Sequence, residues 1–110
     1  MDNQIVKTAS EDVIRISSRE VADMMEYSRH GDLIEKIENI NKVFENGKVR
    51  YQEYWIESSY KVEGNNKSYK EYLITKRGCE FIANKSTGEK GVIFTHKYME
   101  KFEEMERHLY

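Results

Sequence analysis

The chain has 110 residues, with 18 Lys or Arg against 20 Asp or Glu, and a formal charge of -2. That length holds one modest core and not two, and the near-balance of charge excludes a histone-like polycation and an acidic tail. One cysteine, Cys79, excludes an internal disulfide pair and a Cys-rich zinc site.

No apolar run approaches the roughly 18 residues that span a bilayer. Met1-Asp2-Asn3-Gln4 does not read as a signal peptide, so the expected compartment is the cytoplasm, with no membrane contact. Proline is absent, which leaves glycines and capping residues as punctuation. Residues 1–16 read as a polar N-terminal arm that includes a short strand carrying Val13, Ile14 and Ile16. Ser17 and Ser18 offer an N-cap, with Glu20 placed to reach back as a capping-box carboxylate. Val21, Ala22, Met24 and Met25 then repeat at helical spacing, and Glu26-Tyr27-Ser28 reads as a turn. A second helix is predicted over residues 29–45 from the stripe Leu33, Ile34, Ile37, Ile40 and Phe44. Asn46 and a left-handed Gly47 are expected to close it.

The period then changes. Residues 51–62 and 68–74 are rich in aromatic and β-branched side chains. They flank the polar loop Glu63-Gly64-Asn65-Asn66-Lys67, and together read as a β-hairpin. Thr75 caps a further helix with Cys79, Phe81, Ile82 and Ala83, interrupted at Ser86-Thr87-Gly88. A last helix over residues 89–108 carries Phe94, Tyr98, Phe102, Met105 and Leu109 at steps of three and four. The expected fold class is α+β: a winged helix-turn-helix-like domain over residues 17–88, with a β-hairpin wing, then a C-terminal helix over residues 89–110. The apolar stripe of that helix either caps the core or pairs with a second copy, which makes it the candidate dimerisation element.

In a helix-turn-helix the second helix presents its N-terminal residues to base edges in the major groove. Arg29 and His30 occupy that position, with Lys36 about two turns along. Arg29 suits a bidentate contact to guanine. Arg19, Lys61 and Lys67 are expected on phosphates, with Asn65 and Asn66 at the wing tip. The hydroxyls of Ser18 and Ser28, at the two helix starts, complete the candidate DNA-binding set. The plainer alternatives are a solvated helical hairpin and a hairpin tip that is polar because most tips are. Charge favours contact mildly: residues 27–97 hold thirteen basic and ten acidic groups, whereas residues 1–26 hold three and six.

Other chemistries fare worse. The hairpin aromatics Tyr51, Tyr54, Trp55, Tyr60, Tyr69 and Tyr72 offer a base-stacking platform, but alternating rings more often pack against flanking helices. His30, His96 and His108 sit in three elements with no metal-ligand spacing. Thr87-Gly88-Glu89-Lys90-Gly91 lacks the GxxxxGK[ST] spacing of a phosphate loop. Neither catalysis, a metal nor a cofactor is expected.

Several segments together resemble the phage regulatory protein Rha family, over roughly residues 17–109. They are Ser17-Ser18-Arg19-Glu20-Val21-Ala22, then Arg29-His30 with Asp32-Leu33-Ile34 and Ile37, then Tyr72-Leu73-Ile74-Thr75-Lys76-Arg77-Gly78. Thr87-Gly88-Glu89-Lys90-Gly91 and Tyr98 with Phe102-Glu103-Glu104-Met105-Glu106 complete the pattern. Gly31 departs from it, standing where a polar residue is expected. The resemblance implies a DNA-associated regulator or antirepressor in the lysis-lysogeny decision, in which such a domain often precedes a separate antirepressor module. Double-stranded DNA is then the expected partner of a homodimer. The alternative is a protein-interaction module that binds a phage repressor without touching DNA.

Overall fold

The computed structural model describes residues 13–109; the first twelve residues of the expected arm lie outside them. The described chain is α+β, with three strands in one antiparallel sheet and four helices. In chain order these are β1 (Arg15–Ser17), α1 (Ser18–Met24), α2 (His30–Asn46), β2 (Trp55–Lys61), β3 (Ser68–Thr75), α3 (Lys76–Asn84) and α4 (Gly88–Arg107). The sheet order is β1-β3-β2, so the hairpin's second strand is central and β1 returns to flank it. Ile16 pairs with Ile74, and Trp55 pairs with Ile74 from the other side.

The start of α1 and the ends of both α1 and α2 have local causes. Ser17 caps α1 by accepting the Arg19 N–H at 3.0 Å. Glu20 does not close the capping box; its carboxylate instead pairs with Lys101 of α4 at 3.2 Å. Both α1 and α2 end in a left-handed residue that is not glycine: Glu26 at φ 62° and Lys48 at φ 60°. Tyr27 N–H bonds the Ala22 carbonyl at 2.9 Å and Val49 N–H bonds that of Phe44 at 2.8 Å, which is the six-to-one closure of a Schellman turn. The expected left-handed Gly47 therefore gives way to Lys48, with Gly47 itself at φ -88°.

The strand expected from residue 51 begins only at Trp55. The Tyr51 carbonyl accepts the N–H groups of both Tyr54 and Trp55, and that turn brings Tyr54 against Phe44 and Phe81, with ring centroids 5.5 and 5.2 Å apart. β3 passes straight into α3 at Thr75, whose hydroxyl accepts the Gly78 N–H at 3.0 Å and donates to the backbone of residues 53 and 54. Gly78 is required there, because a Cβ would overlap the Tyr54 carbonyl and lie 2.8 Å from Ile74 Cγ2.

One core joins the sheet to all four helices, with Val21, Leu33, Ile37, Trp55, Ile74, Cys79, Ile82 and Phe94 fully buried. α4 belongs to it: Phe94, Tyr98 and Phe102 are buried within the single chain. This corrects the dimerisation stripe. Its first three residues are spent on the chain's own core, Met105 is half-buried against it, and only Leu109 is exposed. The Thr87–Gly91 run also has a structural cause. Gly88 adopts φ +77°, and Gly91 packs so closely on Ser86 that a Cβ would sit 3.3 Å from it. The run turns the chain from α3 into α4.

Candidate nucleic-acid interface

The start of α1, the start of α2 and the middle of the hairpin meet in one polar cluster. Ser18 is buried, and its Oγ accepts the Tyr72 N–H at 2.9 Å and lies 2.7 Å from His30 Nε2. The Ser18 hydroxyl has one proton and a second lone pair left for His30, so the direction of that bond follows the imidazole tautomer. Burial is the largest cause holding the His30 pKa below its ordinary value, the Arg19 guanidinium adds to it, and Glu71 and Asp23 oppose both. Beside this pair the Glu71 carboxylate, only 8% exposed, accepts from Ser17 Oγ at 2.6 Å and Arg19 Nε at 3.2 Å. The Arg19 guanidinium lies over the Tyr60 ring, 4.0 Å from its centroid.

From there a row of rings runs to the hairpin tip. His30 meets Tyr60 edge-on at 6.1 Å, Tyr60 packs on Tyr69 at 5.7 Å, and the Tyr69 hydroxyl accepts from Asn65 Nδ2 at 3.1 Å. The same Asn65 side chain accepts the Lys67 N–H at 2.7 Å and shapes the loop beside Gly64, at φ +81°. The beginning of α2 and the tip of the hairpin are thereby linked by one continuous row of contacts.

The predicted contacts divide into two groups. Ser18 is corrected outright, since a side chain with no exposed surface cannot touch a nucleic acid. His30 is half-buried with Nε2 committed to Ser18, so it is no free reader of bases. Asn65 is exposed but spends its amide within the loop. Ser28, Arg29, Lys61, Asn66 and Lys67 are exposed, Arg19 is half-exposed and Lys36 is partly covered. Arg29 is the N-cap residue of α2, and its guanidinium reaches Asp32 at 2.9 Å with 76% of the side chain exposed. The exposed side of the first α2 turns also carries Asp32 and Glu35. Lys70 of β3 is tied to Glu38 of α2 at 2.6 Å, a bond that raises its pKa.

Two residues that hold this arrangement escape sequence reasoning. Glu71 looks like a solvent-facing strand residue until Ser17 and Arg19 are seen around it. Asn41 accepts from Trp55 Nε1 at 2.7 Å and donates to the Tyr72 hydroxyl at 3.4 Å. Its signal was present: it continues the buried spacing Leu33, Ile37, Asn41. The base-stacking platform is also reduced, because Trp55 and Tyr72 are buried and Tyr51 and Tyr54 pack on the core. No group of three metal-ligating side chains occurs among the described residues, and no helix among them is long and apolar enough to cross a membrane.

The family model of the phage regulatory protein Rha matches residues 16–107. The chain belongs to the phage regulatory protein Rha family. It is also similar to the "SPbeta prophage-derived putative antirepressor protein YoqD" of Bacillus subtilis (strain 168), 45% identical over 94 residues. Those residues cover 86% of this chain and 37% of that protein, so the Rha-family chain spans little more than a third of its relative's length. No solved structure matches it. The Rha-type segments fall largely on the framework: Ser17, Ser18, Arg19 and His30 in the polar cluster, Thr75 and Gly78 at the strand-helix junction, and Gly88 and Gly91 at the last turn.

Proposed function

We propose that the chain is the DNA-contacting module of a phage transcriptional regulator, a winged helix-turn-helix that acts as a homodimer in the lysis-lysogeny decision. In this reading α2 is the recognition helix, residues 63–67 are the wing tip, and no cofactor or catalysis is involved. The observation that supports it is the row from His30 through Tyr60 and Tyr69 to Asn65, because it links the start of α2, next to Arg29, to the hairpin tip that carries Lys67. Arg29 reads a guanine, Lys36 follows in the groove, and Arg19, Lys61 and Lys67 hold phosphates. Arg29 gives up Asp32 at small cost. An exposed ion pair is worth about 0–1 kcal/mol, against about 1–3 kcal/mol for a good bidentate base contact. The working place is the cytoplasm of a bacterial host, where an operator is found.

Asp32 and Glu35 favour a second reading, since two carboxylates on the leading turns of α2 repel phosphates. There the same surface binds a phage repressor and keeps it from its operator, the antirepressor role carried by the name of the Bacillus subtilis relative. Selection of duplexes from a random library with the full chain separates the two. The first reading expects enriched duplexes, affinity that falls steeply with salt, and loss of binding in R29A/K36A with the circular dichroism unchanged. Failure to enrich any duplex at low salt sinks it. Co-purification of a repressor, insensitive to salt and nuclease, then supports the second.

A further inference from the structure

With the α4 stripe consumed inside the chain, a different surface fits a second copy. β2 is an outer strand of the sheet, seven residues long and without proline or glycine. Two bonds fix its phase: the Tyr54 carbonyl accepts the Thr75 N–H at 3.0 Å, while the Trp55 N–H turns away to the Tyr51 carbonyl at 3.1 Å. Antiparallel pairing alternates these directions along a strand. Ile56, Ser58 and Tyr60 therefore exchange backbone bonds with Leu73, Glu71 and Tyr69, and Glu57, Ser59 and Lys61 aim theirs at the open side. β3 agrees, because Tyr72, the partner of Glu57, sends its N–H out of the hairpin to Ser18. Glu57, Ser59 and Lys61 are all exposed, and such a row of backbone donors and acceptors is a template for another strand.

Charge selects both the occupant and the register. Antiparallel pairing of β2 with itself about Ser59 sets each Glu57 opposite Lys61 of the partner subunit, twice by symmetry, with all three outward residues bonding. Centring the pair on Glu57 or on Lys61 instead opposes like charges, which destabilises a cross-strand contact. Centring it on Ser58 or Tyr60 removes the Glu57–Lys61 pair. We propose that the chain forms a two-fold dimer through β2, joining two three-stranded sheets into one. Three residues from each copy make less than the roughly 1,200–2,000 Å² of a standard interface, so the dimer is weak and forms where copies are concentrated, as on adjacent DNA half-sites. Only that last step rests on the DNA-binding reading; the pairing itself needs no DNA.

The test uses the full chain without DNA under mild oxidation. In S59C the two Cα atoms of residue 59 stand about 5.5 Å apart across the pair, inside the range a disulfide bridges. In E57C the corresponding atoms are separated by about 13 Å along the strands, too far to bridge. Cys79 does not compete, being buried with its thiol pushed up to about 12. The expected result is covalent dimer from S59C and monomer from E57C, both with unchanged circular dichroism. By sedimentation equilibrium, E57K and K61E should each shift the unmodified chain towards monomer, and the double swap E57K/K61E should restore the dimer. Equal cross-linking of the two cysteine variants, or a double swap that restores nothing, overturns the proposal. Duplex binding that depends on Arg29 survives either result, so the two readings fail separately.

Discussion

At the scale of single residues, the Ser18 hydroxyl holds three elements together, because it serves Tyr72 of β3 and His30 of α2 from the first turn of α1. Ser18→Ala leaves the buried Tyr72 N–H without an acceptor, and orphaning a buried backbone donor costs about 1–3 kcal/mol. The urea midpoint should fall accordingly, whereas Ser28→Ala on the exposed turn should stay within about 0.5 kcal/mol of the parent. His30 gives the cluster a pH dependence of definite sign. Its pKa in the folded chain lies below the ordinary value, so the unfolded chain binds the proton first. The stabilising contribution is present above the unfolded pKa, near 6.5, and is lost as pH falls through the lower folded value. Urea titrations should show stability declining below about pH 6.5, and H30Q should flatten that part of the profile. An unaltered slope in H30Q would remove His30 as its source.

Among whole elements, the most instructive is α4, whose stripe reads equally well as core or as interface from spacing alone. Burial of Phe102 at 1% exposure decides for core. Phe102→Ala should then cost about 3–5 kcal/mol, a large part of the 5–15 kcal/mol typical of a domain. The loss should be the same at low and high protein concentration; a melting temperature that rises with concentration only in the parent would return the stripe to an interface. The elements themselves were largely legible because their signals are local: the Ser17 and Thr75 caps, the Leu33–Ile37 spacing, the aromatic strands and the Gly64 loop. What escaped depends on contacts between segments far apart in sequence. The strand starting at Trp55 rather than Tyr51 is set by Phe44 and Phe81, and the role of Glu71 by Ser17 and Arg19, more than fifty residues away. The candidate site was legible in the same measure. Exposed Arg29 and Lys67 needed only a helix start and a hairpin tip, while Ser18 looked exposed because the strand that covers it lies 54 residues on.

For the molecule as a whole, the proposed DNA-binding role has to bring a chain of charge -2 to a polyanion. The basic groups are concentrated in residues 27–97, but several are already neutralised in place: Arg29 by Asp32, Lys70 by Glu38 and Arg77 by Glu53. Of the three side chains proposed on phosphates, Arg19 is itself paired with Glu71, and Lys61 faces Glu57 of the partner subunit in the proposed dimer. On the DNA-binding reading, counterion release is therefore modest and one copy binds weakly. Each neutralised phosphate contributes about 0.9 to the slope of log affinity against log salt. Lys67→Ala should therefore lower the magnitude of that slope by about 1 per bound copy and weaken binding alike on all sequences. Arg29→Ala should instead flatten the preference among enriched duplexes at one position, because it removes a base contact. Fluorescence anisotropy over a salt series, run on one enriched and one scrambled duplex, reads both effects. Should Lys67→Ala leave the slope untouched, the hairpin tip is not on the DNA, and the reading in which this surface binds a protein partner gains.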